Sequence, residues 1–249
     1  MSAVANKEMK FIDIHCHLAN FLAHQAGGVI EPDREIIHVS TALNSHEIKL
    51  HEEKGIKYWF AGLHPQDSKM SNEDINEFLC KLPYDKITGI GEIGLDRRFV
   101  EKKRQFYLLQ IQLERALEHD LPTLYHLVGY EYDFIKLQKK INLPRMKIIH
   151  AFNSSYEVFK ELDKLGFYYS IGTRLLENPK NKRTIDAILS EKRFFLESDA
   201  LNLANLFDVK RVAEIIERDY NININEIKEI QAQNFKNLLK EKCESLSEK

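Results

Sequence analysis

Cysteine is scarce in this chain: Cys16, Cys80 and Cys243 are the only three in 249 residues, an odd number set far apart. They form neither a disulfide framework nor a Cys-x-x-Cys zinc knuckle, so a reducing compartment is the expected setting. Long apolar runs are also lacking, and no segment is suited to crossing a bilayer. The opening MSAVANKEMK has no apolar stretch of the kind a secretory leader needs, which makes a cytoplasmic location the expectation. A basic excess is absent too, with 36 Lys and Arg against 38 Asp and Glu. That balance excludes a histone-like or repressor-like binder. It does not exclude an enzyme acting on a phosphodiester, because bound metal ions and a few local cations can supply the positive potential.

What is present suits a folded α/β protein. Hydrophobic residues are 43% and charged residues 30%, which removes disorder as the default. Short apolar runs at 10–15, 36–41, 57–64, 86–94, 123–127, 147–152, 167–172 and 193–197 alternate with helical patterns at 43–54, 71–82, 100–120, 130–140, 153–166, 177–190, 209–220 and 225–240. Ser71 with Asp74, and Asn153 to Ser155, are helix-start signals, and Gly55 and Gly166 are stops. Leu109, Leu113, Ala116 and Leu117 are expected on one apolar face of the longest helix. Residues 18–34, with Gly27, Gly28 and Pro32, read as a loop, and the charged C-terminal tail as a frayed end. Eight strands alternating with helices predict a (β/α)8 TIM barrel, one domain over residues 1–249.

The stretch FIDIHCHL (residues 11–18) ends in His15 and His17. Residues two apart on a strand share a face, so both can reach one metal ion while Cys16 turns away. A lone His-x-His pair is weak evidence, and a histidine at a strand end is more often a satisfied core residue. The pair gains weight from Glu92, His126, His150 and Asp199, which fall at or near the ends of other strands. In a barrel those ends share the C-terminal face, where active sites are built. One ion could take His15, His17 and Asp199 and a second His126 and His150, with Glu92 bridging; imidazole and carboxylate ligands suit Zn, Mn, Fe or Co, and Mg is the oxygen-preferring alternative. Two such ions can activate water in a hydrolysis. Asp199 and Glu92 are the expected catalytic carboxylates, Asp199 as proton acceptor. His64 ends strand three beside Pro65 and is expected to line the substrate site rather than hold metal. His46, His51 and His119 are expected on solvent-facing helix positions, and His24 and His38 earn no role.

FIDIHCHL, GLHP (62–65), GEIGLD (91–96), QLERA (112–116), Leu121-Pro122, His126, HAF (150–152), LESDA (196–200) and Asn234-Phe235, in that order, resemble the TatD family of metal-dependent deoxyribonucleases. The resemblance implies a TIM-barrel hydrolase with two divalent ions and 3′–5′ exonuclease action on DNA as a transient substrate. His15, His17, Glu92, His126, His150 and Asp199 match the family's metal positions, and His64 a site-lining histidine. The chain departs from the family where it commonly has an arginine after the strand-five histidine, an aromatic at Arg97, and Pro-Tyr-Leu after Asp199. Arg97, Arg98 and Arg174 are candidate phosphate contacts, and Phe99 or Phe152 could stack on a base. For the arginines a solvated surface charge is an equal reading. No membrane or stable protein partner is expected, and a monomer is the simplest state. Two alternatives stay open: a related metallohydrolase acting on an ester, lactone, amide or aminoacyl-tRNA bond, and a non-catalytic binding protein keeping the barrel.

Overall fold

The computed structural model describes residues 9–22, 33–99, 101–144 and 146–247. Its strands are β1 (Phe11–Cys16), β2 (Ile36–Ala42), β3 (Trp59–Ala61), β4 (Gly89–Asp96), β5 (Thr123–Val128), β6 (Lys147–Ile149), β7 (Tyr168–Ile171) and β8 (Phe194–Leu196). All neighbours are parallel and the order follows the sequence. Asp13 opposite Leu196 joins β1 to β8 and closes the barrel. Every residue of β1 and β4 is buried, as strands covered on both faces require.

Helices α1 (Leu18–Leu22), α2 (Ser45–Glu53), α3 (Asn72–Cys80), α4 (Lys102–Glu118), α5 (Glu131–Gln138), α6 (Tyr156–Asp163), α7 (Thr173–Leu176), α8 (Lys182–Glu191), α9 (Asp208–Tyr220) and α10 (Ile224–Ser247) surround it. Local chemistry fixes their ends. Ser71 Oγ accepts from Asp74 N, Ser155 Oγ from Val158 N, and Gly55 takes φ +64 just past α2. α10 ties the bottom of the barrel: Gln231 Oε1 accepts from Ile12 N, and Asn234 Nδ2 donates to Lys192 O and Phe194 O. That contact gives the Asn234-Phe235 motif a structural role.

Several expectations change. Residues Leu18–Leu22 form a helix where a loop was expected, and the rest of that segment through Pro32, His24 included, lies outside the described residues. Pro179 does not open an α-helix; it starts a 3-10 turn (Pro179–Asn181) ahead of α8, where its missing N–H costs nothing. α10 runs as helix to Ser247 where fraying was expected. Leu117 is 40% exposed, because the stripe of α4 that meets the barrel is set by Leu109, Leu113 and Ala116.

Two irregularities decide where the site's side chains point. Ile12 and Ile14 share a buried cluster with Phe60, Leu124, Ile148 and Phe195 from other strands, as interior-facing residues do. Plain alternation would then turn His15 outward. The register against β2 shifts between Asp13 and Cys16, and the strand changes phase there, so His15 faces inward and Cys16 packs outside with Phe21, Ala200 and Leu206. In β4, Ile90, Ile93 and Leu95 all belong to the layer under the helices, and a register shift between Gly91 and Ile93 supplies the extra residue. Glu92 is the residue it turns inward.

Candidate metal centre

Six side chains from five strands meet at the C-terminal mouth. His15 lies in β1, His126 in β5, and His17 and His150 directly follow β1 and β6. Glu92 sits within β4 rather than at its end, because GEIGLD continues the strand to Asp96. Asp199 lies in the loop after β8 with φ +46, unusual for a residue with a side chain. Its N–H donates to His15 O at 3.0 Å, and His17 N donates to Ala200 O at 3.1 Å, so the loop is stitched to β1.

The nitrogens and oxygens converge in two groups. His15 Nε2 is 3.5 Å and His17 Nε2 3.7 Å from Asp199 Oδ1. His126 Nδ1 is 2.9 Å from Glu92 Oε1 and 3.0 Å from His150 Nε2, which also contacts Glu92 Oε1. Glu92 Oε2 faces the other group, 3.8 Å from His15 Nε2. His126 Nδ1, His150 Nε2 and Glu92 Oε1 thus converge on one point, where a cation between them would suit all three. His15 Nε2 is completely buried without a hydrogen-bond partner, a cost that an ion taking its lone pair would remove. The donor set therefore fits divalent ions: His15, His17 and Asp199 stand close enough to hold one, as do His15, Glu92 and His150, while His126 also groups with His64 and Asp96.

Charge follows the same geometry. Burial pushes the Glu92 carboxyl up, but His150 and His15 beside it outweigh this and hold it well below the usual carboxylate range. Asp199 is likewise held far down, burial being overcome by the neighbouring His15 and His17 rings. Both carboxylates are anionic at neutral pH.

A second ring of residues orients the first. Thr41 Oγ1 is 2.9 Å from His15 Nδ1, which fixes the ring with Nε2 facing the carboxylates. Asp96 Oδ2 is 2.9 Å from His126 Nε2, the carboxylate–histidine arrangement that strengthens a metal-binding imidazole. Burial raises the Asp96 carboxyl, yet Arg98 and His126 hold it down at about 2. Buried Glu197 accepts from Ser170 Oγ at 2.5 Å and lies 3.8 Å from His150 Nδ1; burial, with the nearby Asp199 charge, lifts it to about 7. Asp13 accepts from both Ser198 N and Ser198 Oγ, which anchors the loop carrying Asp199. None of these was assigned from sequence. Asp96 and Glu197 at least stand inside the GEIGLD and LESDA motifs, whereas Thr41 carries no signal in its neighbourhood.

The expected substrate residues separate. The His64 ring lies 4.4 Å from that of His126 and 5.6 Å from Phe99. Its Nδ1 accepts from Gln66 N at 3.2 Å, and burial presses its pKa down to about 4, so the neutral ring carries its proton on Nε2 as a donor. Arg98 is engaged by Asp96 through Nε and Nη2, and Nη2 is 3.4 Å from His126 Nε2. Arg97 and Arg174 are exposed; the Arg97 stem crosses Gly129, where a Cβ would sit 2.6 Å from Arg97 Cδ. Phe152 is 2% exposed and packs on Tyr169, so it cannot stack on a base. His51 is fully buried, contrary to a solvent-facing position, because the polar groups of Glu47 and Ser40 give its ring partners inside the fold.

Asp67 offers a pH test beside the site. It accepts from His64 N at 3.1 Å, and burial lifts its carboxyl to about 6. A folded-state pKa above the unfolded one favours the protonated form, so the fold loses stability as pH rises through about 6. Asp67→Asn is expected to match wild type at pH 4 and to exceed it at pH 8 by about 1 kcal/mol, a figure discounted for partial exposure. Paired thermal melts at the two pH values check this, and equal stability at pH 8 would contradict it.

Comparison with known proteins agrees with this geometry. The family model described as TatD related DNase matches residues 12–240. A protein of Escherichia coli named an uncharacterised metal-dependent hydrolase, YjjV, is 29% identical over 212 residues, covering 77% of this chain and 79% of its own. A Methanocaldococcus jannaschii protein of the same description, MJ1582, is 25% identical over 248 residues, covering 94% and 97%. The crystal structure of YjjV, a TatD homologue, superposes with a TM-score of 0.71 at 25% identity, covering 92% of this chain and 97% of that one. A TatD family hydrolase of Entamoeba histolytica shares the fold, with a TM-score of 0.70 at 15% identity over 92% of this chain and 98% of its own. From the closed barrel, the convergent imidazoles and carboxylates and a family match along most of its length, the chain belongs to the TatD-related DNase family and is a metal-dependent hydrolase.

Proposed function

We propose that this chain is a deoxyribonuclease of the 3′–5′ exonuclease type, using two divalent ions held by His15, His17, Glu92, His126, His150 and Asp199. The observation that carries the reading is Glu92, whose two oxygens face different histidine groups. Ions bound there would polarise a phosphoryl oxygen and make a water more acidic. The Asp199 side chain is 34% exposed, open to the mouth, and its anionic carboxylate can accept a proton from the attacking water. His64 Nε2–H can donate to a substrate oxygen, and Arg97 and Arg174 remain free to meet phosphate. Arg98 acts mainly on Asp96. The ions are Zn, Mn or Mg, and the enzyme is a single-domain cytoplasmic monomer that meets DNA transiently. No helix among the described residues is long and apolar enough to cross a membrane.

The test is a chelator-stripped preparation reconstituted with Mg, Mn or Zn and given 3′-labelled single-stranded DNA. Metal-dependent release of label is expected, with the Glu92→Ala, Asp199→Ala double mutant as baseline. Activity no higher than that baseline with every metal would sink the nuclease reading. Fewer than one bound ion under metal-replete conditions would sink the metal centre as well.

A further inference from the structure

Of the four proposed histidine ligands, His15 and His126 are braced by Thr41 and Asp96 and His150 lies between Glu92 and Glu197, but His17 has no such support among the described residues. Among the described residues its ring has nothing like the bond Thr41 makes to His15 or Asp96 makes to His126. Its aim must come from the backbone, and a buried histidine that the chemistry leaves unused stands behind that backbone. His51 Nδ1 is 2.7 Å from Glu47 O, a carbonyl that can only accept, so Nδ1 carries the proton. The neutral ring then presents a lone pair at Nε2, and Ser40 Oγ, 2.7 Å away, donates to it. Ser40 Oγ in turn accepts from Leu18 N at 3.1 Å. Leu18 follows His17 and opens α1, where a first-turn N–H has no partner within the helix.

Every donor and acceptor in this chain has one possible direction. With His17 N given to Ala200 O, two successive peptide N–H groups are held from opposite sides, by the β8 loop and by β2. We propose that His51, acting through Ser40, is a positioning residue that fixes the backbone at Leu18 and so aims His17 at the ion it shares with His15 and Asp199. The inference rests on reading those three as metal ligands. Burial lowers the His51 pKa, which keeps the ring in the neutral form the chain of bonds needs. The ring of Trp59, 5.1 Å away, packs against it.

Calorimetric titration of stripped full-length protein with Mn2+ tests this. Wild type is expected to bind two ions. Ser40→Ala should weaken one of them by roughly ten- to a hundredfold, the range for a lost outer-shell partner, and leave the other unchanged. Melting of the metal-free form should fall modestly, because His51 Nε2 and Leu18 N lose their partner, but a merely structural role would not weaken one ion selectively. Ser40→Thr keeps the hydroxyl and should restore affinity, and His51→Phe, which keeps a ring beside Trp59, should repeat the selective loss. If either variant fails to fold, the other decides. Two ions bound with wild-type affinity in a folded variant overturn the positioning role. Fewer than one bound ion in the wild type overturns the metal reading itself, and this inference with it.

Discussion

Glu92→Gln is expected to lower hydrolysis by roughly three orders of magnitude or more, about 4 kcal/mol of barrier, while the barrel stays folded. The substitution keeps the shape and removes one charge. It also turns one of two acceptor oxygens into a donor. Glu92 Oε1 serves His126 and His150, and Oε2 faces His15, so whichever position becomes the amide, one group of imidazoles meets an N–H where it needs a lone pair. Bound metal should fall from two ions to at most one. By contrast Asp96→Asn, which alters the partner of His126 and Arg98 but none of the proposed ligands, should cost roughly ten- to a hundredfold. Steady-state rates with metal analysis of the same preparations measure both. A Glu92→Gln rate within tenfold of wild type is incompatible with a bridging carboxylate.

Gly94→Ala should be the most damaging glycine-to-alanine change among the described residues. Gly94 has φ +149, and a Cβ there would lie 1.8 Å from His126 O, a backbone atom that cannot swing aside. Either β4 or β5 must move, and β5 carries His126 with it. The expected loss exceeds about 4 kcal/mol, from strain at a special backbone conformation together with an impossible contact. That corresponds to a melting temperature lower by roughly 10 °C, or to insoluble protein. Gly55→Ala is the control: φ is +64, nothing lies within 4 Å, and the cost should be about 1 kcal/mol. Similar melting of the two variants would mean that the close approach of β4 and β5 matters less than the geometry demands.

The barrel could be read from sequence because its strands are short apolar runs punctuated by good helix caps. Ser71 and Ser155 do in space what their types suggest. The convergence of His15 and His17 on Asp199 was also readable, since His-x-His keeps its meaning as long as both residues follow the same change of phase. Local pattern failed where a distant partner decides the outcome. His51 looked solvent-facing on a helix, yet Ser40 and the Glu47 carbonyl satisfy its ring inside the fold. Phe152 beside His150 looked like a stacking platform, but Tyr169 from the next strand claims it. Asp96 stood in a quoted motif without a role because only the register of β4 against β5 brings it to His126. Thr41 gave no cue at all, since a threonine in a strand is ordinary until the neighbouring strand puts His15 beside it.

The register shifts at Asp13/Cys16 and Gly91/Ile93 have a consequence for how such a site can be gained or lost. Each amounts to one residue more than the pleat needs, and each turns an essential side chain inward. Deleting His15 or Glu92 itself would leave the hydrophobic alternation of the strand intact and even more regular, while stripping the mouth of that side chain. The frame and the chemistry are therefore written in separate parts of the same strands. A lineage could keep the barrel after losing catalysis through one deletion, and a bare barrel could become receptive to metal through one insertion on each of two strands.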